Sequence, residues 1–341
     1  MRRRRPLALG LLALVTAVTL VVGGFAALVG GPAMTVDPSA PAVAGPRSSG
    51  AAATIRGGVS PRALDASPFP DAPTAPAPTA PAVPLPGLVG AIGDSLSAGV
   101  NASGQFGVQP QHSWVVGDVP RDGVDSHLER IRALGGDPET AEAFRPGASI
   151  AAARGQAEVI VAAARGLPAG TTAYVTFELG ANDVCAPTLA AATDPDAFAS
   201  LARDALERLV GGLPPGSHVL VVSVPDVTRL RDLVAEVPEA RALHRRYDVC
   251  ESVLGEEADT EGVVDRIRAY NATLTALCER LDSASVACGH DFAGDPARSL
   301  FGAPFTLDQI SSLDFFHPSL SGQARIADET WRLTPWGAPG G

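Results

Sequence analysis

An α/β fold built on a parallel sheet is what the sequence predicts from residue 86 onward, and three observations predict it. Short apolar runs alternate with longer amphipathic ones. The long runs space their apolar residues at helical intervals. The short runs are almost continuously apolar, as strands covered on both faces are. In order, "LVGAIGD" is the first strand and "SIAAARGQAEVIVAAARG" a helix, with Ser149 as its N-cap and Gly166 just past its end. "TAYVTFELG" is the next strand. "TDPDAFASLARDALERLVGG" opens on Asp-Pro and closes on Gly211, so it is a helix. "HVLVVSVPD" is a strand, "TEGVVDRIRAYNATLTALCERL" a long helix, "SVAC" a short strand and "SLSGQARIADETW" the last helix. In such a sheet, chemistry is carried by loops at the carboxyl ends of the strands.

The two ends of the chain have a different composition. Four arginines at residues 2 to 5 precede an uncharged stretch from Pro6 to Gly31. Residues 1–34 therefore read as a signal peptide or an uncleaved N-terminal membrane anchor, and either places the rest outside the cytoplasm. Residues 35–85 include "DAPTAPAPTAPAVPLPG" and read as a Pro/Ala-rich linker, an extended spacer that carries the domain near a membrane or cell wall. The catalytic-type domain is expected over 86–334, with a tail over 335–341. A net charge of −11 offers no basic stripe for phosphates, so nucleic acid is not an expected partner.

The four cysteines, Cys185, Cys250, Cys278 and Cys288, form no CxxC pair, so a zinc site is not expected. In an exported chain they favour disulfides, with three pairings open. Cys278 ends a helix and Cys288 a short apolar run, which suits a local bridge across the turn. That leaves Cys185 with Cys250, pinning a long excursion to the loop after "GAND".

A hydroxyl needs a base to become a nucleophile, and the base needs a third group to fix its tautomer. Ser95 in "GDSL", His317 and Asp314 in "DFFH" supply those three types, each at a strand end or in a loop after one. The Ser95 backbone N–H, Gly147 in "FRPGAS" and the Asn182 amide in "GAND" are candidate donors to an oxyanion.

With these four blocks in this order, the chain resembles the SGNH hydrolases, also called GDSL esterases and lipases, over about residues 87 to 333. "HSWVVGD", "GANDVC" and "DFFHPSLSGQ" further resemble the phospholipase B-like branch and its secreted actinobacterial relatives. The resemblance implies a flavodoxin-like three-layer α/β/α sandwich. It also implies Ser95 as nucleophile, His317 as base, Asp314 as its orienter, an oxyanion hole of Ser95, Gly147 and Asn182, and no metal or cofactor. Departures are the segment "EAFRPGAS", which lacks the polar residue often found before the glycine, and Ser97 where threonine is common. The expected activity is an extracytoplasmic serine esterase, acting as a monomer on a small-molecule or lipid ester. Deacetylation of a polysaccharide and a non-catalytic surface-binding module are the competing readings.

Other residues carry weaker expectations. Trp114 lies either in an acyl pocket or in the core, and Asp226 either faces the cleft or does not. Asp94 and Asp183 brace loops, and the remaining histidines are solvated or internally satisfied. The charged stretch over residues 236–262 reads as an exposed excursion that could serve as a lid.

Overall fold

Strands buried on both faces need helices on both sides, and the chain supplies them. The computed structural model describes residues 83–291 and 299–337; the expected signal or anchor, the linker up to residue 82 and residues 338–341 lie outside the described residues. Five strands, β1 (Leu88–Ile92), β2 (Glu139–Glu142), β3 (Ala173–Phe177), β4 (Ser217–Val221) and β5 (Val286–His290), form one sheet in the order β2-β1-β3-β4-β5. Each neighbouring pair is parallel, with Leu88 opposite Ala173 and Phe177 opposite Val221. The intervening helices are α1 (His127–Ala133), α2 (Ala153–Arg165), α3 (Ala181–Val184), α4 (Pro195–Val210), α5 (Arg229–Leu233), α6 (Pro238–Arg246), α7 (Glu251–Leu254), α8 (Thr260–Leu281) and α9 (Leu320–Trp331).

Every residue of β1 and β3 is buried, which is why their sequences show no alternation. One apolar layer packs Ile160 of α2, Phe198 of α4 and Leu274 of α8 against one sheet face. The other packs Leu128 of α1 and Ile326 of α9, with Trp114, against the opposite face. The result is the expected α/β/α sandwich. The path from β1 over α1 to β2 runs in one direction, and the path over α2 to β3 returns past β1 on the opposite layer. Strand order therefore reverses between β1 and β3, and a crevice opens at their carboxyl ends, the usual ligand site of such sheets.

Several expectations need correction. Ser149 does not cap α2: it precedes a 3-10 turn, Ile150–Ala152, and its side chain makes no capping bond, so α2 begins at Ala153. The cap comes from elsewhere in the chain, since Asp183 Oδ2 accepts the Ile150 N–H at 2.8 Å. By contrast Asp194 caps α4 as its sequence suggests, accepting from the N–H groups of Asp196 and Ala197 with Pro195 in the first turn. The edge strand β2, "ETAE", carries no apolar run that would announce it. Trp336, expected in a tail, packs edge-on against Tyr174 and donates to Val83 O at 3.2 Å. The stretch over 236–262 is no bare excursion, because Ala240, His244, Cys250 and Val253 are all buried.

The structure pairs Cys185 with Cys250 across 65 residues and Cys278 with Cys288 across 10. In the chain-entropy view a bridge stabilises by restricting the unfolded chain, and the longer loop gains more, about 4 kcal/mol against about 3. The double change Cys185→Ser with Cys250→Ser should therefore lower the urea midpoint more than Cys278→Ser with Cys288→Ser. Non-reducing unfolding curves check this, and the reverse order would contradict it.

Candidate active site

The turn after β1 presents Ser95. Asp94 Oδ1 accepts the Leu96 N–H at 2.9 Å, and the backbone closes with Ala98 N–H on Asp94 O at 3.1 Å and Val100 N–H on Ser95 O at 3.2 Å. Ser95 is 6 % exposed and opens onto a cavity of about 440 Å³ at the β1/β3 crevice. Among the described residues its Oγ has no hydrogen-bond partner, so Ser95 and His317 share the cavity lining without a direct bond; contacts of this kind commonly tighten when substrate binds.

His317 and Asp314 come from the loop before α9. Phe315, between them, sits at φ 53°, a left-handed conformation that costs a non-glycine residue on the order of 1–3 kcal/mol. That turn folds the histidine back over the carboxylate. Asp314 Oδ1 accepts the N–H groups of Phe316 and His317 at 2.9 and 3.0 Å, and Oδ2 meets His317 Nδ1 at 2.6 Å. With Nδ1 donating to the carboxylate, Nε2 is the nitrogen left for chemistry. Burial alone would raise the Asp314 carboxyl, but the hydrogen bond and charge of His317 and the two backbone N–H groups outweigh it and hold the group below the usual carboxylate range.

Two further groups hold this pair, and neither was singled out in the sequence. Asn101 Nδ2 donates to Asp314 Oδ2 at 2.6 Å across 213 residues, while its Oδ1 accepts from Gly107 N–H and its carbonyl from Ser311 Oγ. Asn101 adopts φ 58°, a conformation that asparagine tolerates better than most residues. His244 of α6 is buried and donates from Nε2 to Asp314 O at 3.0 Å. The pinned excursion thus reaches the loop that carries Asp314 and His317, although its residues do not line the cavity. The cavity wall on that side comes from Pro225 to Leu233, including Asp226, whose carboxylate is taken by Thr228 and Arg229.

"GAND" forms the turn into α3. Gly180 has φ 135°, and a Cβ there would lie 2.3 Å from Val224 Cγ2, so this position requires glycine. Asn182 lines the cavity, and its Nδ2 donates to Asp94 Oδ2 at 2.9 Å and to Ala148 O at 3.1 Å. Gly147, at φ 74°, is exposed in the adjoining turn and is not part of the cavity lining. The structure therefore brings Ser95, Asn182 and His317 to one cavity with Asp314 behind His317, and sets Gly147 one residue from the carbonyl that holds Asn182. Asp183 links the same two segments through Ile150 N–H. Trp114 is fully buried, edge-on to His127, and belongs to the core rather than the cavity.

Beneath these lies a carboxyl that was also not singled out. Glu178 follows β3, is 1 % exposed, and accepts from Ser97 Oγ at 3.0 Å. Burial pushes it well above the usual range, and the neighbouring Asp94 adds to the shift. Asp94, fully buried, is itself pushed up to about 6, with burial opposed by the Leu96 N–H and by His317.

The sequence profile of the GDSL-like lipase/acylhydrolase family matches residues 91–325, more than half the chain. The chain belongs to that family. Among solved structures it is similar to the psychrotrophic esterase EstA from Pseudoalteromonas sp., at 14% identity and a TM-score of 0.40, covering 72% of this chain and 96% of that one. It is similar to TesA at 19% identity and a TM-score of 0.37, covering 72% and 97%. It is also similar to a GDSL-like lipase, described as putative, from Parabacteroides merdae, at 15% and 0.41, covering 74% and 97%. No curated protein matches the chain.

Proposed function

We propose that this GDSL-family hydrolase is an extracytoplasmic serine esterase that cleaves lipid-like acyl esters through an acyl-enzyme. The observation that carries the reading is a cavity that joins Ser95 and His317 to largely apolar walls, among them Leu96, Leu230, Leu300, Phe305, Ile310 and Phe316. Such a lining removes an alkyl chain from water, at about 0.8 kcal/mol for each methylene buried. It has little to offer an acetylated sugar, which needs convergent polar groups. The two disulfides and the charge-free stretch after the leading arginines support a location outside the cytoplasm.

In this reading Ser95 Oγ attacks the ester carbonyl as its proton passes to His317 Nε2, and Asp314 stabilises the resulting imidazolium. The Ser95 N–H and the Asn182 amide receive the oxyanion, which competes for the hydrogen now held by Ala148 O. The alcohol leaves with the proton from Nε2. Water then attacks the acyl-enzyme by the same route and releases the carboxylic acid.

Hydrolysis of p-nitrophenyl acetate, butyrate and octanoate by the disulfide-intact protein tests the substrate class. We expect kcat/KM to rise at least about tenfold from acetyl to octanoyl, as the added methylenes enter the apolar cavity. Preference for acetyl, together with turnover of acetylated glycans, would replace the lipid reading with polysaccharide deacetylation.

A further inference from the structure

The geometry points to Glu178 as a positioning residue of this active site: a neutral acid beside Asp94, so that Asp94 can stay ionised and hold the Asn182 amide in place. The inference rests on the reading of Asn182 as an oxyanion donor. Glu178 lies at the end of β3 and Asp94 in the turn after β1, and Glu178 Oε2 accepts the Asp94 N–H at 3.5 Å, which makes the two residues neighbours. Neighbouring buried carboxyl groups are held at low cost only if one of them carries a proton. Both are buried, at 1 % and 0 % exposure, where two adjacent negative charges would be costly.

The other contacts decide where that proton sits. Asp94 receives N–H donors on both oxygens, Leu96 N–H on Oδ1 and Asn182 Nδ2 on Oδ2, both at 2.9 Å, as an ionised carboxylate does. Glu178 Oε2 accepts from Ser97 Oγ at 3.0 Å and more loosely from the Asp94 N–H at 3.5 Å. That leaves Oε1 to carry the proton. Of the other charged groups acting on Asp94, His317 favours its ionised form and Asp183 from α3 opposes it, the His317 effect being the larger. The chain that results runs from Ser97 through Glu178 and Asp94 to Asn182, and it ties the oxyanion donor of the β3 turn to the turn that carries Ser95. Gln156 supports the same turn by bridging Gly93 N–H and Gly93 O at 2.8 and 3.0 Å.

Three measurements on the full chain test this. Glu178→Gln keeps a neutral donor of the same shape, so kcat should stay within about threefold of wild type. Glu178→Met keeps the bulk but not the donor, so kcat should fall about tenfold or more with KM little changed. A wild-type kcat in Glu178→Met, or an equal loss in both variants, would overturn the positioning role. Denaturant unfolding reads the proton without using activity. A carboxyl kept neutral in the fold but ionised in the unfolded chain makes stability fall as pH rises. The folding constant of wild type relative to Glu178→Gln should therefore drop roughly tenfold per pH unit from about pH 6 to 8. Parallel stability curves, or no protonated-carboxyl band lost from the infrared spectrum of Glu178→Gln at neutral pH, would show that Glu178 is ionised and overturn the assignment. Absence of esterase activity in wild type would count against the proposed function, while the unfolding and infrared results would still decide the proton.

Discussion

Ser95→Ala is expected to lower kcat on the best p-nitrophenyl ester by at least about a thousandfold, with the unfolding midpoint unchanged. No other hydroxyl replaces it: Ser97 is fully buried and donates to Glu178. The Ser95 side chain makes no hydrogen bond among the described residues, so the fold does not depend on it and the loss should be in chemistry rather than stability. A variant with more than a tenth of wild-type turnover would place the nucleophile elsewhere. Labelling by a fluorophosphonate should vanish with the same substitution.

Asp314→Asn should cost about ten-thousandfold in kcat, a larger effect than its small change in shape suggests. An amide in place of Oδ2 offers an N–H to His317 Nδ1, which moves the ring proton to Nε2 and removes the free base. It also removes the charge that stabilises the imidazolium. Separate kcat and KM values check this, and a loss below about tenfold would remove Asp314 from the proposed triad. Acid unfolding gives an independent test. Because the Asp314 carboxyl is depressed in the fold, its contribution to stability is present above the unfolded value of 3.8 and is lost as pH falls through the depressed one. Wild type should lose more stability than Asp314→Asn below about pH 4.

The residues legible in the sequence are those whose chemistry depends on local spacing. "DFFH" puts a carboxylate and an imidazole three residues apart, and one left-handed residue is enough to bring them together. "GDSL" and "GAND" each follow a continuously apolar strand, so their place at the sheet's carboxyl edge could be read from order alone. Asn101 carried no such mark. It is one polar residue in a glycine-rich turn, and its partner lies 213 residues away. Glu178 did carry a signal, a carboxyl inside the apolar run "YVTFELG", where a charge is expensive unless it is neutralised. His244 resembled any other histidine in a charged segment until α6 turned it inward.

Hydrophobic pattern and turn chemistry act through near neighbours, and for that reason the sequence by itself determined the parallel α/β fold, the order of four of its strands and its four longest helices, the strand ends that hold the candidate site residues, and the family of the chain. The tertiary structure alone decided which carboxyls lie beside one another, that Asp183 rather than Ser149 caps the turn before α2, that Trp114 is core, and that the cavity walls are apolar. Those are contacts between segments far apart in the chain. They are set by how helices pack across a twisted sheet, and no local pattern of residues encodes the distance between two loops.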